Sequence, residues 1–214
     1  MKIRQAPLIS VRKRPRQQRS ARLVDDILEG AVRVLAREGA PRFTTARVAE
    51  EAGVSVGSLY QYFPNKEAIL FRLQSDEWDR TGALLESILA NSNEPAPARL
   101  RSMLSAFFQS EWEEASLRTA LGDAVPLYRN APEVRKHRES GMRRLGAFMH
   151  EALPGVSAKE RAFAAAFVMT TISAVGKSVS EQASSKSEVG VWAVAMGDML
   201  CAYLERLAKR KRLA

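Results

Sequence analysis

Apolar residues recur every three or four positions along most of this chain, which is the period of a helix packed on one side. The pattern over residues 17–38 predicts a first long helix, and Gly39, Ala40 and Pro41 end it. Later helices are predicted from a cap at Asn65 to about Ala90, and over about residues 98–121, 133–152, 158–183 and 187–209. Because no segment alternates apolar and polar residues as a half-buried strand does, the sequence predicts an all-α fold.

Residues 44–63 fit two short helices joined by a tight turn. Thr44 and Thr45 have hydroxyls that suit a helix start, and Gly53 suits the left-handed turn that often follows a helix end. Ser55 can cap the second helix. That helix is predicted to bury Leu59 and Phe63 and to carry on its opposite face Val56, Gly57, Ser58, Tyr60, Gln61 and Tyr62. This arrangement predicts a helix-turn-helix, whose second helix can lie in the major groove of DNA.

Six short strings occur in order over residues 44–67, separated by only one or two residues: Thr-Thr, Val-Ala, Ala-Gly-Val-Ser, Gly-Ser-Leu-Tyr, Tyr-Phe and Asn-Lys-Glu. Together they resemble the DNA-binding signature of tetracycline-repressor (TetR) type transcription regulators. The resemblance implies a DNA-binding domain of three helices over residues 17–80, and the basic composition ahead of it predicts a flexible arm at 1–16. It also implies a helical effector-binding and dimerisation domain over 81–214, which matches only in being helical and suitably long.

The formal net charge of +9 is concentrated at the two ends of the chain. Residues 1–22 contribute +8 and residues 205–214 contribute +4, which leaves −3 for residues 23–204. The leading arm can track phosphates electrostatically, and the alternative is a solubilising tail without specific contacts. The basic run at 209–212 is interpreted as a solvated helix end, where cations suit the helix dipole.

The start of the second short helix is the predicted point of close approach to DNA. Gly57 leaves room for that approach, while Ser55 and Ser58 can hydrogen-bond a phosphate or a base edge. Tyr60 is predicted to project outward, with Gln61 on the same face. The resemblance implies that Val56, Gly57, Ser58 and Tyr60 read bases.

The resemblance also implies that the DNA backbone is anchored by Thr45, Tyr62 and Lys66. Lys66 starts the fourth helix, where the helix dipole favours an anion. For Tyr62 the alternative is packing against the neighbouring helix.

Two positions depart from family members that use longer polar residues, because Ala46 and Val56 cannot donate hydrogen bonds from their side chains. Val56 can still contact a thymine methyl group. Arg47 is the nearest long donor, and we expect it to make an additional phosphate or base contact.

The last two predicted helices carry small residues with apolar residues between them. These are Ala162, Ala165, Ala166, Thr170, Ser173, Ala174 and Gly176 on one helix, and Ala193, Met196, Gly197, Leu200 and Leu204 on the other. Such helices can pack closely against a symmetric copy. The resemblance implies a homodimer through these two helices. The alternative is that both stripes belong to the chain's own core.

The resemblance further implies a small-molecule effector in the second domain, and the sequence does not identify it. The candidate lining is Phe107, Phe108, Trp112, Tyr128, Phe148 and Phe167. Most apolar residues at helical spacing are core, so only some of these are expected to touch a ligand. The acidic residues Glu111, Glu113 and Glu114 favour a cationic molecule, or else form a solvated face.

Catalysis finds little support in the sequence. The two histidines, His137 and His150, lie thirteen residues apart on one predicted helix, about 220° around it, and cannot clamp one metal together. No phosphate-binding glycine loop or nucleophile elbow occurs, so no catalytic residue, metal or cofactor is expected. The single cysteine, Cys201, is interpreted as a small buried apolar residue.

The sequence therefore predicts a dimeric DNA-binding repressor that leaves an inverted-repeat operator when a small molecule binds. No stretch approaches the roughly 18 apolar residues of a membrane span, and we expect a soluble cytoplasmic protein with no membrane partner. A helical interaction module and an effector-independent DNA-binding regulator are the alternatives.

Overall fold

Most of the described part of the chain is helical, as the periodicity predicts. The computed structural model describes residues 18–115, 117 and 131–210, and within them there are eight α-helices, one short 3₁₀ turn and no strand. The helices are α1 (Gln18–Glu38), α2 (Thr45–Glu51), α3 (Val56–Tyr62), α4 (Lys66–Ala90), α5 (Ala96–Glu113), α6 (Pro132–Ala152), α7 (Ala158–Gln182) and α8 (Lys186–Arg210). The all-α prediction is confirmed.

Side-chain caps define the starts of three helices, at the residues that the sequence indicated. The Thr44 hydroxyl accepts the backbone N–H of Arg47 at 3.3 Å and begins α2. Ser55 accepts the N–H of Ser58 at 3.0 Å and begins α3, and Asn65 accepts the N–H of Ala68 at 2.8 Å ahead of α4. Gly53 has φ +67° between α2 and α3, a conformation that costs glycine little.

One short turn was not predicted, and one predicted helix lies partly outside the described residues. The 3₁₀ turn at Ala40–Arg42 was not foreseen. The helix predicted over 98–121 begins at Ala96 and is described to Glu113, and residues 116 and 118–121 lie outside the described part.

The described residues divide into two compact units, one of residues 18–77 with 117 and 131–134, the other of residues 78–115 and 135–210. In the first unit α1 lies so close to α2 that a Cβ on Gly30 would be 3.0 Å from the backbone nitrogen of Ala52. Its core includes Val24, Ile27, Ala31, Val34, Phe43, Val48, Ala49, Leu59, Phe63, Ile69 and Leu70. This packing turns one side of α3 inward and leaves the other side exposed.

In the second unit α5 packs against both α7 and α8. A Cβ on Gly176 of α7 would be 2.8 Å from the Phe107 ring, and one on Gly197 of α8 would be 3.2 Å from Arg101. The core includes Leu100, Leu104, Phe108, Leu145, Phe148, Met149, Val168, Ile172, Leu200 and Leu204. Cys201 is also buried, as predicted, and burial raises the pKa of its thiol.

The small-residue stripes predicted for α7 and α8 do not all face outward. On α8 the prediction is wrong, since Ala193, Met196, Gly197, Leu200 and Leu204 all lie in the unit's own core. On α7 Ala165 and Gly176 are buried, whereas Ala162, Ala166, Thr170, Ser173 and Ala174 are exposed. Both faces of α8 are rich in apolar residues, so periodicity could not tell the inward face from the outward one.

The outward faces of α7 and α8 carry large apolar side chains. On α7 Phe163 is 66% exposed, and its ring neighbours Phe167, which in turn lies 5.0 Å from the Tyr203 ring. On α8 the exposed apolar residues are Val191, Trp192, Val194 and Met199. These six exposed apolar residues of α7 and α8 (Tyr203 apart) are called the α7–α8 face below.

Among the described residues, α7 is the one helix whose length and composition would permit it to cross a membrane. A single such helix is a weak indication, because core helices of water-soluble proteins have the same properties. The inner side of α7 contributes Ala164, Val168 and Ile172 to the core of the second unit.

Candidate nucleic-acid interface

The outer face of α3 is exposed and, within this seven-residue helix, carries no charged side chain. Val56, Gly57, Tyr60 and Gln61 are exposed and Ser58 is half-buried, as the helix-turn-helix prediction requires. Leu59 and Phe63 are fully buried, which holds this orientation. The face therefore offers methyl groups, an aromatic ring, hydroxyls and one amide.

Tyr62 does not belong to that face, and the prediction that it does is wrong. Its side chain is 6% exposed and lies in the core of the first unit. The reason is helical geometry, because Tyr62 follows the buried Leu59 by three residues and so lies on the same side. Its ring packs within the first unit, as the alternative for Tyr62 stated. A phosphate contact by its hydroxyl stays a prediction.

A hydrogen bond joins the two helices of the motif at the exposed surface. The hydroxyls of Thr45 in α2 and Tyr60 in α3 are 3.0 Å apart. Tyr60 is 40% exposed, so the bond holds the end of an accessible ring in one place. The bond gives Thr45 a role within the protein that the sequence did not indicate.

The two serines at the start of α3 are hydrogen-bonded to each other. The Ser55 and Ser58 hydroxyls are 2.8 Å apart, and Ser55 also accepts the Ser58 backbone N–H. Because the Ser55 hydroxyl caps α3, it is less available to DNA than the hydroxyl of a serine without such bonds.

The two predicted cationic contacts differ in their surroundings. Lys66 is exposed at the first position of α4. The side chain of Arg47 is 44% exposed and forms an ion pair with Glu38, the last residue of α1. Glu38 was not predicted to take part in the site, because sequence spacing does not indicate that the end of α1 meets the start of α2.

A second carboxylate joins α1 to α2 in the same region. Glu51 accepts hydrogen bonds from Arg33 Nε and Arg37 Nη1, each at 2.8 Å. These bonds, Arg37 first, hold the pKa of the Glu51 carboxyl below its usual value. Arg33 and Arg37 lie one turn apart on α1, a spacing visible in the sequence, although their partner is not.

The residues predicted to line an effector site do not share one environment. Phe108 and Phe148 are buried core residues, and Phe107 and Trp112 are partly buried against that core. Phe167 differs from them, because it lies on the α7–α8 face and is 38% exposed, and its contact with an effector stays a prediction. Tyr128 lies outside the described residues.

The acidic residues Glu111, Glu113 and Glu114 also differ from one another in exposure. Glu113 is exposed, whereas Glu114 is 5% exposed and accepts a hydrogen bond from the Ser110 hydroxyl at 2.8 Å. Nothing in the described residues groups three or more His, Cys, Asp or Glu side chains as a metal site.

An open cleft of about 310 Å³ lies where α7 ends and α8 begins. Its walls include Val175, Val179, Glu188 and Trp192, and none of the predicted effector residues. It borders the α7–α8 face through Trp192.

Curated relatives match the chain over part of their length. A transcriptional repressor of helix-turn-helix type from Mycobacterium tuberculosis is 31% identical over 94 residues, which are 44% of this chain and 47% of that protein. The fatty acid metabolism regulator protein of Bacillus subtilis is 34% identical over 73 residues, 34% of this chain and 36% of that protein. The chain thus spans less than half the length of these relatives.

Solved structures match over most of the chain. A TetR-family transcriptional regulator from Mesorhizobium loti has a TM-score of 0.67 and 17% identity, covering 87% of this chain and 98% of that one. FadR from Bacillus subtilis, in complex with stearoyl-CoA, has a TM-score of 0.61 and 18% identity, covering 82% and 96%. At these identities the likeness shows the fold.

Two protein families match this chain directly. The tetR family of bacterial regulatory proteins matches residues 27–73, from within α1 to within α4. This DNA-binding part of the first unit is called the head below. The tetracyclin repressor-like C-terminal domain matches residues 95–207, which is more than half of the 214 residues. The chain therefore belongs to the tetracycline-repressor family, as the motif over residues 44–67 indicated.

Proposed function

We propose that this protein is a dimeric transcriptional repressor of the cytoplasm, which binds an inverted-repeat operator and leaves it when a small molecule binds. The observation that carries the proposal is the uncharged outer face of α3, where Val56, Gly57, Tyr60 and Gln61 are exposed. Such a face suits base edges and thymine methyl groups in the major groove, while surrounding cations contact phosphates. Regulators rather than enzymes are named among the relatives, in keeping with this proposal.

The position of Lys66 supports an anionic partner. A lysine at the first position of a helix is unfavourable to the helix dipole, by up to about 1 kcal/mol. A phosphate bound at the start of α4 would be favoured both by the positive end of the helix dipole and by the Lys66 ammonium. Helix stability alone does not account for this residue, whereas a DNA backbone does.

A second copy of the chain is the proposed occupant of the α7–α8 face. Six large apolar side chains on two adjacent helices form a larger exposed apolar surface than scattered single residues would. A two-fold axis through this face would make one four-helix interface, and two heads would then meet two half-sites of an inverted repeat.

The effector is proposed to bind the second unit. The structure of FadR from Bacillus subtilis holds stearoyl-CoA, and we extend to this chain only the expectation of a small-molecule effector. Stearoyl-CoA is a suitable first probe. Release requires that the effector bind the conformation without DNA more tightly than the DNA-bound one.

The experiment that tests this function is a pull-down of genomic DNA fragments with the purified protein, followed by sequencing. Beside the native protein we would use Gly57→Trp, since a Cβ at Gly57 meets only the Ser55 hydroxyl, 3.8 Å away. The indole would project from α3 and keep it out of the groove. Gly146→Trp is the control, because an added Cβ at Gly146 on α6 has likewise open space, with no atom within 4 Å.

A palindromic motif recovered by the native protein and Gly146→Trp, but lost in Gly57→Trp, is the expected result. Equal, salt-sensitive recovery of DNA without a motif by all three proteins would refute sequence-specific reading by α3. Recovery of a motif that stearoyl-CoA and other candidate effectors leave unchanged would favour the effector-independent regulator. A protein that binds no DNA would favour the interaction module.

Replacing Tyr60 by alanine is expected to weaken operator binding by about tenfold or more, since a base contact contributes roughly 1–3 kcal/mol. Binding to an unrelated duplex of the same length should change by less than about twofold. Lys66→Ala, which removes a phosphate contact, should instead weaken both. Fluorescence anisotropy with the two duplexes measures this difference, and equal losses in Tyr60→Ala would remove Tyr60 from the base-reading residues.

A further inference from the structure

Five charged residues of alternating sign form a ladder from α1 to α2 in the first unit. Arg33 and Arg37 both donate to Glu51, and Arg37 Nη2 also donates to Glu38 Oε1 at 3.1 Å. The other carboxylate oxygen of Glu38, Oε2, pairs with Arg47 Nη1. The ladder therefore runs from the end of α2 to its beginning and ends at Arg47.

The carboxylates of the ladder lie beneath the guanidinium groups. The Glu38 and Glu51 side chains are 17% and 21% exposed, whereas the three arginines are 44–58% exposed. Glu38 Oε1 accepts a hydrogen bond from Arg37, and Oε2 forms an ion pair with Arg47 without a regular hydrogen bond, so a guanidinium lies beside each oxygen and compensates its charge. Arg33 also pairs with Glu29, a 72% exposed acid one turn earlier on α1, so the cationic part of this surface lies at Arg37 and Arg47.

Arg47 stands at the end of the ladder that borders the recognition surface. It is the third residue of α2, and Thr45 in the same turn is hydrogen-bonded to Tyr60 on the outer face of α3. One nitrogen of its guanidinium engages Glu38, and a guanidinium has several N–H donors in a fixed plane. The remaining donors can therefore bind a second anion while the first pair stays intact.

We propose that Glu38 is a positioning residue for DNA binding, which holds Arg47 so that its outer N–H groups meet a backbone phosphate beside α3. The inference rests on the proposed function. An arginine that is free in solution loses rotamer entropy when it binds phosphate, and one that is already held by Glu38 loses less. The Glu38 carboxylate causes a small repulsion of the DNA phosphate. This cost is offset because Glu38 holds Arg47 in the orientation that binds the phosphate.

The opposite role would be competition, in which Glu38 occupies Arg47 and must be displaced by DNA. The two roles predict opposite signs for the removal of the Glu38 charge. If Glu38 positions Arg47, Glu38→Gln weakens DNA binding. If Glu38 competes with phosphate, Glu38→Gln strengthens it.

The test is a double-mutant cycle of Glu38→Gln and Arg47→Ala, with affinities for the operator and for an unrelated duplex measured between about 50 and 300 mM salt. Arg47→Ala is expected to weaken binding to both duplexes about tenfold. It should also reduce the slope of log affinity against log salt by about one. Glu38→Gln is expected to weaken binding to both duplexes about fivefold in the native background. In the Arg47→Ala background it should not weaken binding at all.

Tighter binding by Glu38→Gln in the native background would overturn the proposal, as would an equal loss in both backgrounds. Glu50→Gln is the matched control for charge, because Glu50 is an exposed acid of α2 with no ion pair to any described residue. It should bind DNA at least as tightly as the native protein. A merely structural role of Glu38 would lower the unfolding temperature without the dependence on Arg47.

The same measurements separate this inference from the proposed function. A native protein that binds neither duplex in a salt-sensitive manner refutes both. Salt-sensitive operator binding with an unchanged slope in Arg47→Ala leaves the proposed function standing and refutes the role of Arg47 and Glu38.

Discussion

Replacing Arg99 by alanine is expected to lower the free energy of unfolding by about 3 kcal/mol, because the change opens a cavity and leaves the Leu89 carbonyl without its donor. For a chain of this length that corresponds to a fall in Tm of roughly 6–12 °C. The side chain of Arg99 is 2% exposed, which is rare for arginine.

Three elements of the second unit meet at this side chain. Arg99 lies in the first turn of α5, and its Nη1 donates to the backbone carbonyl of Leu89, near the end of α4, at 2.6 Å. It forms an ion pair with Glu151 near the end of α6 and lies 5.5 Å from the centre of the Phe148 ring. The pair holds the pKa of the Glu151 carboxyl below its usual value. Truncation to alanine leaves the Leu89 carbonyl without this donor and opens a cavity.

Arg101→Ala provides a matched control two residues along the same helix. Arg101 also pairs with a carboxylate, Asp198 of α8, but both side chains are exposed, at 45% and 66%. Exposed pairs contribute about 0–1 kcal/mol, so Arg101→Ala should leave Tm nearly unchanged. Thermal and urea unfolding of both variants would be followed by circular dichroism. A similar small change in both would contradict the view that burial makes the Arg99 pair important.

Elements that depend on local sequence could be predicted from the chain alone. The starts of α2, α3 and α4 coincide with Thr44, Ser55 and Asn65, since a capping side chain acts within three residues of itself. Gly53 is likewise recognisable, because the turn it forms needs a positive φ. The motif over 44–67 added the family, and the family implied the rest of the architecture.

Features that depend on packing between helices could not be predicted in the same way. Tyr62 is an exception, because its inward position follows from its spacing of three residues after the buried Leu59, which the sequence already contains. The pair of Arg47 with Glu38 depends on how the segment between α1 and α2 folds back, which no spacing rule describes. For α8, periodicity gave two apolar faces and no means of choosing between them.

A single acidic residue in the α7–α8 face is expected to dissociate the proposed dimer. Val194 is 64% exposed on α8, and Val194→Glu would place an unpaired carboxylate in each half of an apolar interface. Burying such a charge without a partner costs several kcal/mol, and a two-fold interface suffers the cost twice. We expect a monomer at micromolar concentration, measured by sedimentation equilibrium, and a loss of operator affinity of about a hundredfold.

Leu84→Glu is the control, because Leu84 is 51% exposed on α4, in the same unit but outside the α7–α8 face. It should remain dimeric and bind the operator as the native protein does. If Val194→Glu stayed dimeric with full operator affinity, the two copies would have to meet elsewhere, and another partner would be needed for the exposed Phe163, Trp192 and Val194. If it became monomeric yet kept full operator affinity, one head would suffice for recognition. The inverted repeat would then have no structural basis, because a two-fold operator favours binding only when the protein presents two linked heads.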